Sequence, residues 1–101
     1  MLNSEKLEVF RAAVEAQQCA ELIRRHYDPA IHQHDCRIKI GRKYITVDVG
    51  RSGKYMVEIA TGQIFEIKSY GVVHRGHTYG TLDTIDQWDW SGYTATRKAA
   101  A

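Results

Sequence analysis

The sequence holds one proline, two cysteines and no low-complexity run. So little proline excludes a Pro-rich linker and a collagen-like chain. The two thiols, Cys19 and Cys36, cannot build the disulfide framework of a small secreted domain, and both are read as reduced. No apolar stretch approaches the roughly 18 residues needed to cross a bilayer, so no membrane partner is implied. Residues 1–6 lack the apolar run of a signal peptide, which points to the cytoplasm. A length of 101 residues excludes a TIM barrel and a full dinucleotide-binding fold.

What is present describes a small globular domain. The apolar share is 44% and the charged share 26%, close to the averages of folded proteins, which argues against disorder. No repeat or boundary divides residues 1–101, so a single domain is expected. Charge is unevenly placed. The net value is −2 over residues 1–35, +5 over 36–82 and −1 over 83–101. The positive field therefore belongs to the middle of the chain.

Residues 1–28 read as a helical segment, with the helix running from about Ser4 to Tyr27. At 100° per residue Val9, Phe10, Ala13, Ala16, Ala20, Ile23 and Tyr27 share one side, expected to be buried. Glu8, Arg11, Glu15, Gln18 and His26 fall opposite, expected in solvent. Asn3 or Ser4 can cap the start, and Asp28-Pro29 is the expected stop. From Cys36 the period changes to two. Ile38 and Ile40 alternate with Arg37 and Lys39, Ile45, Val47 and Val49 with Tyr44, Thr46 and Asp48, and Tyr55, Val57 and Ile59 with Met56, Glu58 and Ala60. Such alternation suits antiparallel strands with one wet face. Gly50-Arg51-Ser52-Gly53 reads as a turn and Thr61-Gly62 as a tight hairpin. Gln63 to Lys68 pairs back, and short strands are expected near Val72-Val73 and Tyr79–Leu82. Over residues 83–96, Thr84-Ile85-Asp86-Gln87 has the form of a capping box opening a short helix that Gly92 closes. Residues 97–101 are expected to fray. The fold class is α+β: an N-terminal amphipathic helix on an antiparallel meander of four to five strands over residues 36–82, with a short C-terminal helix or turn over residues 83–96.

Several groups can carry chemistry. In an extended chain His32, His34 and Cys36 point the same way, and two imidazoles with a thiolate suit zinc, completed by His74 or His77. The spacing matches no established zinc signature, and polar residues after a helix stop are ordinary in a solvated loop. The stretch Tyr70 to Gly80 holds three glycines, His74, Arg75 and His77. It can cradle an anion through backbone N–H groups and Arg75, or its glycines can serve the geometry of a hairpin alone. It lacks the Gly-Lys-Ser/Thr of a phosphate-binding loop. Asp83, Asp86 and Asp89, spaced by three, would share a helix face and hold a divalent ion beside the histidines, though a solvated face is the commoner meaning. No serine or cysteine nucleophile stands out, and no cofactor is implied.

The basic middle carries the stronger argument. Arg37, Lys39, Arg42, Lys43, Arg51, Lys54, Lys68 and Arg75 are spread over strands and turns, with Tyr44 and Tyr55 expected on the same surface. Basic groups beside exposed aromatics are the ingredients of single-strand binding. Arg75, His77, Lys54 and Arg42 are the expected contacts, with His74, Lys43, Arg37 and Lys39 around them. Trp88, Trp90 and Tyr93 are either core or the anchors of a protein contact.

Residues 53–57, 62–68 and above all His74-Arg75-Gly76-His77-Thr78-Tyr79-Gly80-Thr81-Leu82-Asp83-Thr84 resemble a group of small uncharacterised proteins encoded by bacteriophages and prophages. The resemblance spans about residues 37–94. It implies an accessory protein of the host-cell cytoplasm that binds nucleic acid or a host nucleic-acid-handling complex. It also raises a counter-defence inhibitor of anti-CRISPR type acting by protein contact. The reading is therefore a non-enzymatic binding protein, with a histidine-based metal site or hydrolase as the lesser alternative. Its oligomeric state is open.

Overall fold

A computed structural model describes residues 4–28, 30–31, 35–50, 52–69, 72–92 and 95–98. The order is α1 (Ser4–Arg24), β1 (Cys36–Ile40), β2 (Tyr44–Val49), β3 (Ser52–Glu58), β4 (Gln63–Ser69) and β5 (Val72–Thr81). A 3₁₀-helical turn (Ile85–Gln87), β6 (Trp88–Asp89) and β7 (Thr96–Arg97) follow. Strands β1 to β5 form one antiparallel sheet in sequence order, and β6 pairs with β7 in a second, two-stranded sheet. This is the α+β architecture that the change of period from 3.6 to 2 predicts. Among the described residues no helix is long and apolar enough to cross a membrane.

The sheet register separates two faces. Ile38, Val47 and Tyr55 form one cross-strand row, and Ile40, Ile45, Val57 and Ile64 form the next. Most of these residues are core, and α1 covers this face. Lys39, Thr46, Met56, Phe65 and Thr78 form the row on the opposite face.

The helix turns a different side to the core than its alanine stripe suggests. Leu7, Phe10 and Val14 are buried, whereas Val9 is 58% and Ile23 59% exposed, and Tyr27 is exposed too. Arg11, Glu15 and Gln18, expected in solvent, turn inward. Arg11 Nη1 donates to the Cys36 carbonyl at 3.3 Å, and the Cys36 N–H donates to Glu15 at 2.9 Å. Gln18 Nε2 donates to the Trp90 carbonyl at 2.6 Å, and the Trp90 N–H donates to Gln17 Oε1 at 2.7 Å. These contacts satisfy backbone groups at the start of β1 and in the C-terminal segment, where no ladder serves them. The need to satisfy them, together with the size of Phe10, rotates the helix away from the alanine stripe.

The helix also ends early. His26 takes φ 64°, its N–H donates to the Ile23 carbonyl, and the Tyr27 N–H donates to the Leu22 carbonyl at 2.9 Å. That pair of bonds is a Schellman cap with His26 in the left-handed position. The chain therefore leaves the helix before Asp28.

The core centres on aromatic rings. Trp90 is fully buried, its ring 4.8 Å from Phe10 and 5.2 Å from Tyr55. Tyr79 stands 5.6 Å from Tyr55, and the Trp90 indole N–H donates to the Ile85 carbonyl at 3.0 Å. The edge-to-face angles suit the ring quadrupoles.

Five local expectations need correction. The β3–β4 connection runs through Ile59–Gly62 rather than Thr61-Gly62 alone, closed by Gly62 at φ 74°. Ser52 and Gly53 belong to β3, not to the preceding turn. The two short strands expected after residue 71 are one long strand, β5. The Thr84 hydroxyl does not cap a helix. It bonds the Thr81 N–H and carbonyl, and the single 3₁₀-helical turn gives way to β6 well before Gly92. A Cβ at Gly80, which sits at φ 70°, would strike that hydroxyl and approach Trp88 Nε1 to 2.9 Å. Arg97, expected to fray, pairs with Trp88 in the second sheet.

Candidate functional site

The chemistry-bearing residues meet on β5, which is irregular by design of its register. On β4, Phe65 pairs with Thr78 and the next residue, Glu66, pairs with His74. One step on β4 therefore spans four on β5, and Arg75, Gly76 and His77 bulge out of the ladder. Bulges re-aim side chains and locally increase twist. The segment expected as a glycine-rich loop is thus a bulged edge strand over its described part.

The bulge sends its side chains to both faces. Phe65 and Glu66 are successive strand residues and point to opposite sides. Arg75 goes with Phe65. Its guanidinium lies 5.6 Å from the Phe65 ring and 5.7 Å from the Tyr44 ring, donates to the Tyr44 hydroxyl, and stands 3.6 Å from Glu58. Lys43 Nζ lies 5.6 Å from the same Tyr44 ring. Both cations are within the range of attraction to an aromatic face. Arg37 and Lys39 project from β1 on this side, since they pair with Asp48 and Thr46. Arg37 stands 3.5 Å from Asp35, and Arg42 is exposed in the turn between β1 and β2. The helix-free face thus carries Arg37 and Lys39 along β1 and Lys43 and Arg75 beside Tyr44, with Asp48 and Glu58 as the acidic counterparts.

His74 and His77 go with Glu66, on the face that bears α1. Because α1 lies nearest β1, at the far edge of the sheet, the β5 edge is not capped by it. His77 Nδ1 is 2.5 Å from Glu66 Oε2, and the two imidazoles stack at 4.2 Å with 26° between planes. Lys54, the extra residue where the β2–β3 register shifts between Val47 and Asp48, is half-buried. Burial depresses its ammonium below the usual lysine range, with Cys36 and Glu66 acting in the other direction. The four expected contacts are therefore divided. Arg75 lies on the helix-free face, Arg42 is exposed in the turn between β1 and β2, His77 sits with Glu66, and Lys54 borders a hollow of about 270 Å³ with Glu21, Leu22 and Arg25.

Other expected groups fall elsewhere. Cys36 is buried and its thiol is pushed up to about 12 by desolvation, with Glu15 adding to the effect. That disfavours the thiolate a metal ion needs. His32 and His34 lie outside the described residues, as does Tyr93. Trp90 is core rather than a surface anchor, because Phe10, Tyr55 and Tyr79 enclose it. Trp88 packs against the same core. Tyr55, expected beside the basic groups, is core too. Asp83, Asp86 and Asp89 share no helix face: Asp83 pairs with Lys6, Asp86 lies in the 3₁₀-helical turn, and Asp89 accepts from Ser91. Those Ser91 bonds hold the Asp89 carboxyl below its usual range.

Sequence reasoning missed Glu66 and Glu58, each buried in a strand pattern with no motif around it. Comparison with family models, curated proteins and solved structures yields no match to this chain.

Proposed function

We propose that this chain is a non-enzymatic binding protein whose helix-free sheet face takes single-stranded nucleic acid. The observation that carries the reading is the half-exposed Tyr44 ring with the Arg75 and Lys43 cations 5.7 and 5.6 Å from its centre. Around it the exposed charge is mainly basic. Phosphates are met by Arg37, Lys39, Arg42 and Lys43, and a base or sugar packs against the half-exposed Tyr44 and the Arg75 guanidinium plane. Arg75 is already oriented by the Tyr44 hydroxyl and Glu58, so little rotamer freedom is lost on binding. In a phage-type accessory protein such a face would engage host nucleic acid or the machinery that handles it. An inhibitor acting by protein contact has less support, because Trp90, one of its expected anchors, is enclosed in the core.

The test is a fluorescence-anisotropy titration with labelled single- and double-stranded DNA and RNA. With four phosphate contacts to a single strand, raising salt from about 50 to about 200 mM weakens binding roughly fifty-fold. Arg75→Ala and Lys43→Ala each weaken it further, while Lys6→Ala, near the helix start, does not. Absence of binding to all four probes at low salt refutes the reading.

A further inference from the structure

We propose that Glu66, His74 and His77 form a binding site for a divalent transition-metal ion of the zinc class. Each residue offers one ligand atom, and the three atoms lie within 4.8 Å of one another. Two imidazoles and a carboxylate are a zinc donor set, which leaves one position of a tetrahedral ion for water. The site rests on the helix-side face of β5 and is independent of the nucleic-acid reading, which uses the opposite face.

Three features favour an ion over a plain histidine–carboxylate contact. First, the bulge brings two imidazoles to one carboxylate. A single ring would satisfy Glu66, yet His74 stacks on His77 at 4.2 Å instead of turning to solvent. Second, residue 76, between them in sequence, is glycine. A Cβ there would come within 3.3 Å of His74 Cε1 and 3.5 Å of its Nδ1, so the missing side chain leaves room for the ring beside its partners. Third, burial is graded. Glu66 is 21% exposed and His77 57%, which places the carboxylate at the floor and one imidazole at the mouth. An ion can enter from solvent and keep a water there.

Uptake requires the stacked rings to turn toward a common point. Donors about 2.1 Å from a tetrahedral ion are roughly 3.4 Å apart. Uptake opens the 2.5 Å contact between His77 Nδ1 and Glu66 and draws the widest pair together. Both histidines sit on a strand that is the edge of the sheet among the described residues, so the rings can move without disturbing the core. Affinity among first-row ions should follow the usual order, with copper tightest and manganese weakest.

The experiment is isothermal titration of ZnCl2 into the tag-free, chelator-treated full chain, repeated with CoCl2 while visible absorption is recorded. The expected result is one ion per chain at micromolar or tighter affinity, with cobalt d–d bands of low symmetry. Glu66→Ala, His74→Ala and His77→Ala each weaken binding at least about tenfold, since each removes one of three protein ligands. The triple change His32→Ala, His34→Ala, Cys36→Ala leaves it intact, which separates this site from the loop cluster. His77 is exposed, so His77→Ala folds, and an unchanged far-UV spectrum checks it. Absence of stoichiometric uptake by the unaltered chain, or uptake indifferent to both His74→Ala and His77→Ala, overturns the proposal.

Discussion

Phe65 and Glu66 stand side by side on β4 and carry the two faces of the molecule apart: Phe65 lies under Arg75, and Glu66 holds His77. Their partners are only two residues apart on β5. The pleat of β4 and the bulge opposite it therefore divide one short stretch of sequence between two environments.

The side of the helix that faces the core can be tested by paired substitutions. Phe10→Ala should cost about 3–5 kcal/mol, enough to unfold much of a domain this small. Val9→Ser, its immediate neighbour and exposed, should change stability by no more than about 0.5 kcal/mol. Urea unfolding followed by tryptophan fluorescence reads both. Equal losses would mean that the alanine stripe is the buried side after all.

Gln17 and Gln18 latch the C-terminal segment to α1 through both backbone groups of Trp90. Gln17→Ala or Gln18→Ala should cost about 1 kcal/mol each, the net worth of a hydrogen bond. The loss should appear first as faster amide exchange around residues 88–92, because a segment held by few bonds opens locally before the whole domain does. Amide exchange mapped by NMR would settle it, and unchanged protection of Trp90 would exclude the latch.

The Tyr55 hydroxyl is buried with no hydrogen-bond partner among the described residues. Removing it should therefore be harmless. Tyr55→Phe is expected to leave stability unchanged or to raise it slightly, whereas deleting a partnered hydroxyl costs about 1 kcal/mol. A loss of that size in a chemical denaturation series would reveal a partner.

Alkaline pH should weaken the fold. Burial pushes the Cys36 thiol up to about 12 from its ordinary 9.0 and the Tyr79 hydroxyl up to about 12 from 10.0. Tyr55 is raised as well, again chiefly by burial. Above pH 9 the unfolded chain loses the thiol proton while the folded chain keeps it. The stability contributed by the protonated group is thus complete below pH 9 and drains away as pH climbs toward 12, at up to about 1.4 kcal/mol per pH unit for one group. Urea midpoints measured at pH 8 and pH 10 should fall, and Cys36→Ala should flatten the decline between them, since the tyrosines begin to contribute only above 10.

The elements of the fold were legible because their signals are local. A period of two over Cys36–Ile40 and Tyr44–Val49 reports a half-buried strand whatever surrounds it, and Gly62 marks a turn by its own backbone freedom. The face of α1 was not legible. Val9 and Phe10 are neighbours at 100°, and which of them faces the sheet depends on where Cys36 and Trp90 need hydrogen bonds. The helix end was missed for a related reason: a histidine in the left-handed region carries no signal comparable to Pro29, yet it stops the chain first. Trp90 could be surface or core on sequence alone, and only the ring cluster of Phe10, Tyr55 and Tyr79 decided it.

The candidate sites divide along the same line. Residue type and charge alone pointed to Arg75, His77, Lys54 and Arg42 as contacts, with His74, Lys43, Arg37 and Lys39 around them, because guanidinium, ammonium and imidazole groups are where anions and metal ions bind. Their grouping was not in the sequence. Glu66 lies 11 residues from His77 and on another strand, and Tyr44 lies 31 residues from Arg75. Those distances close only when β2, β3, β4 and β5 take their register. What the sequence determined by itself was the list of elements and the chemistry available to them, since periodicity and side-chain type are local properties. What the tertiary structure decided was which groups meet and on which face, because the pleat and a three-residue bulge, both set by pairing between strands, govern where each side chain points.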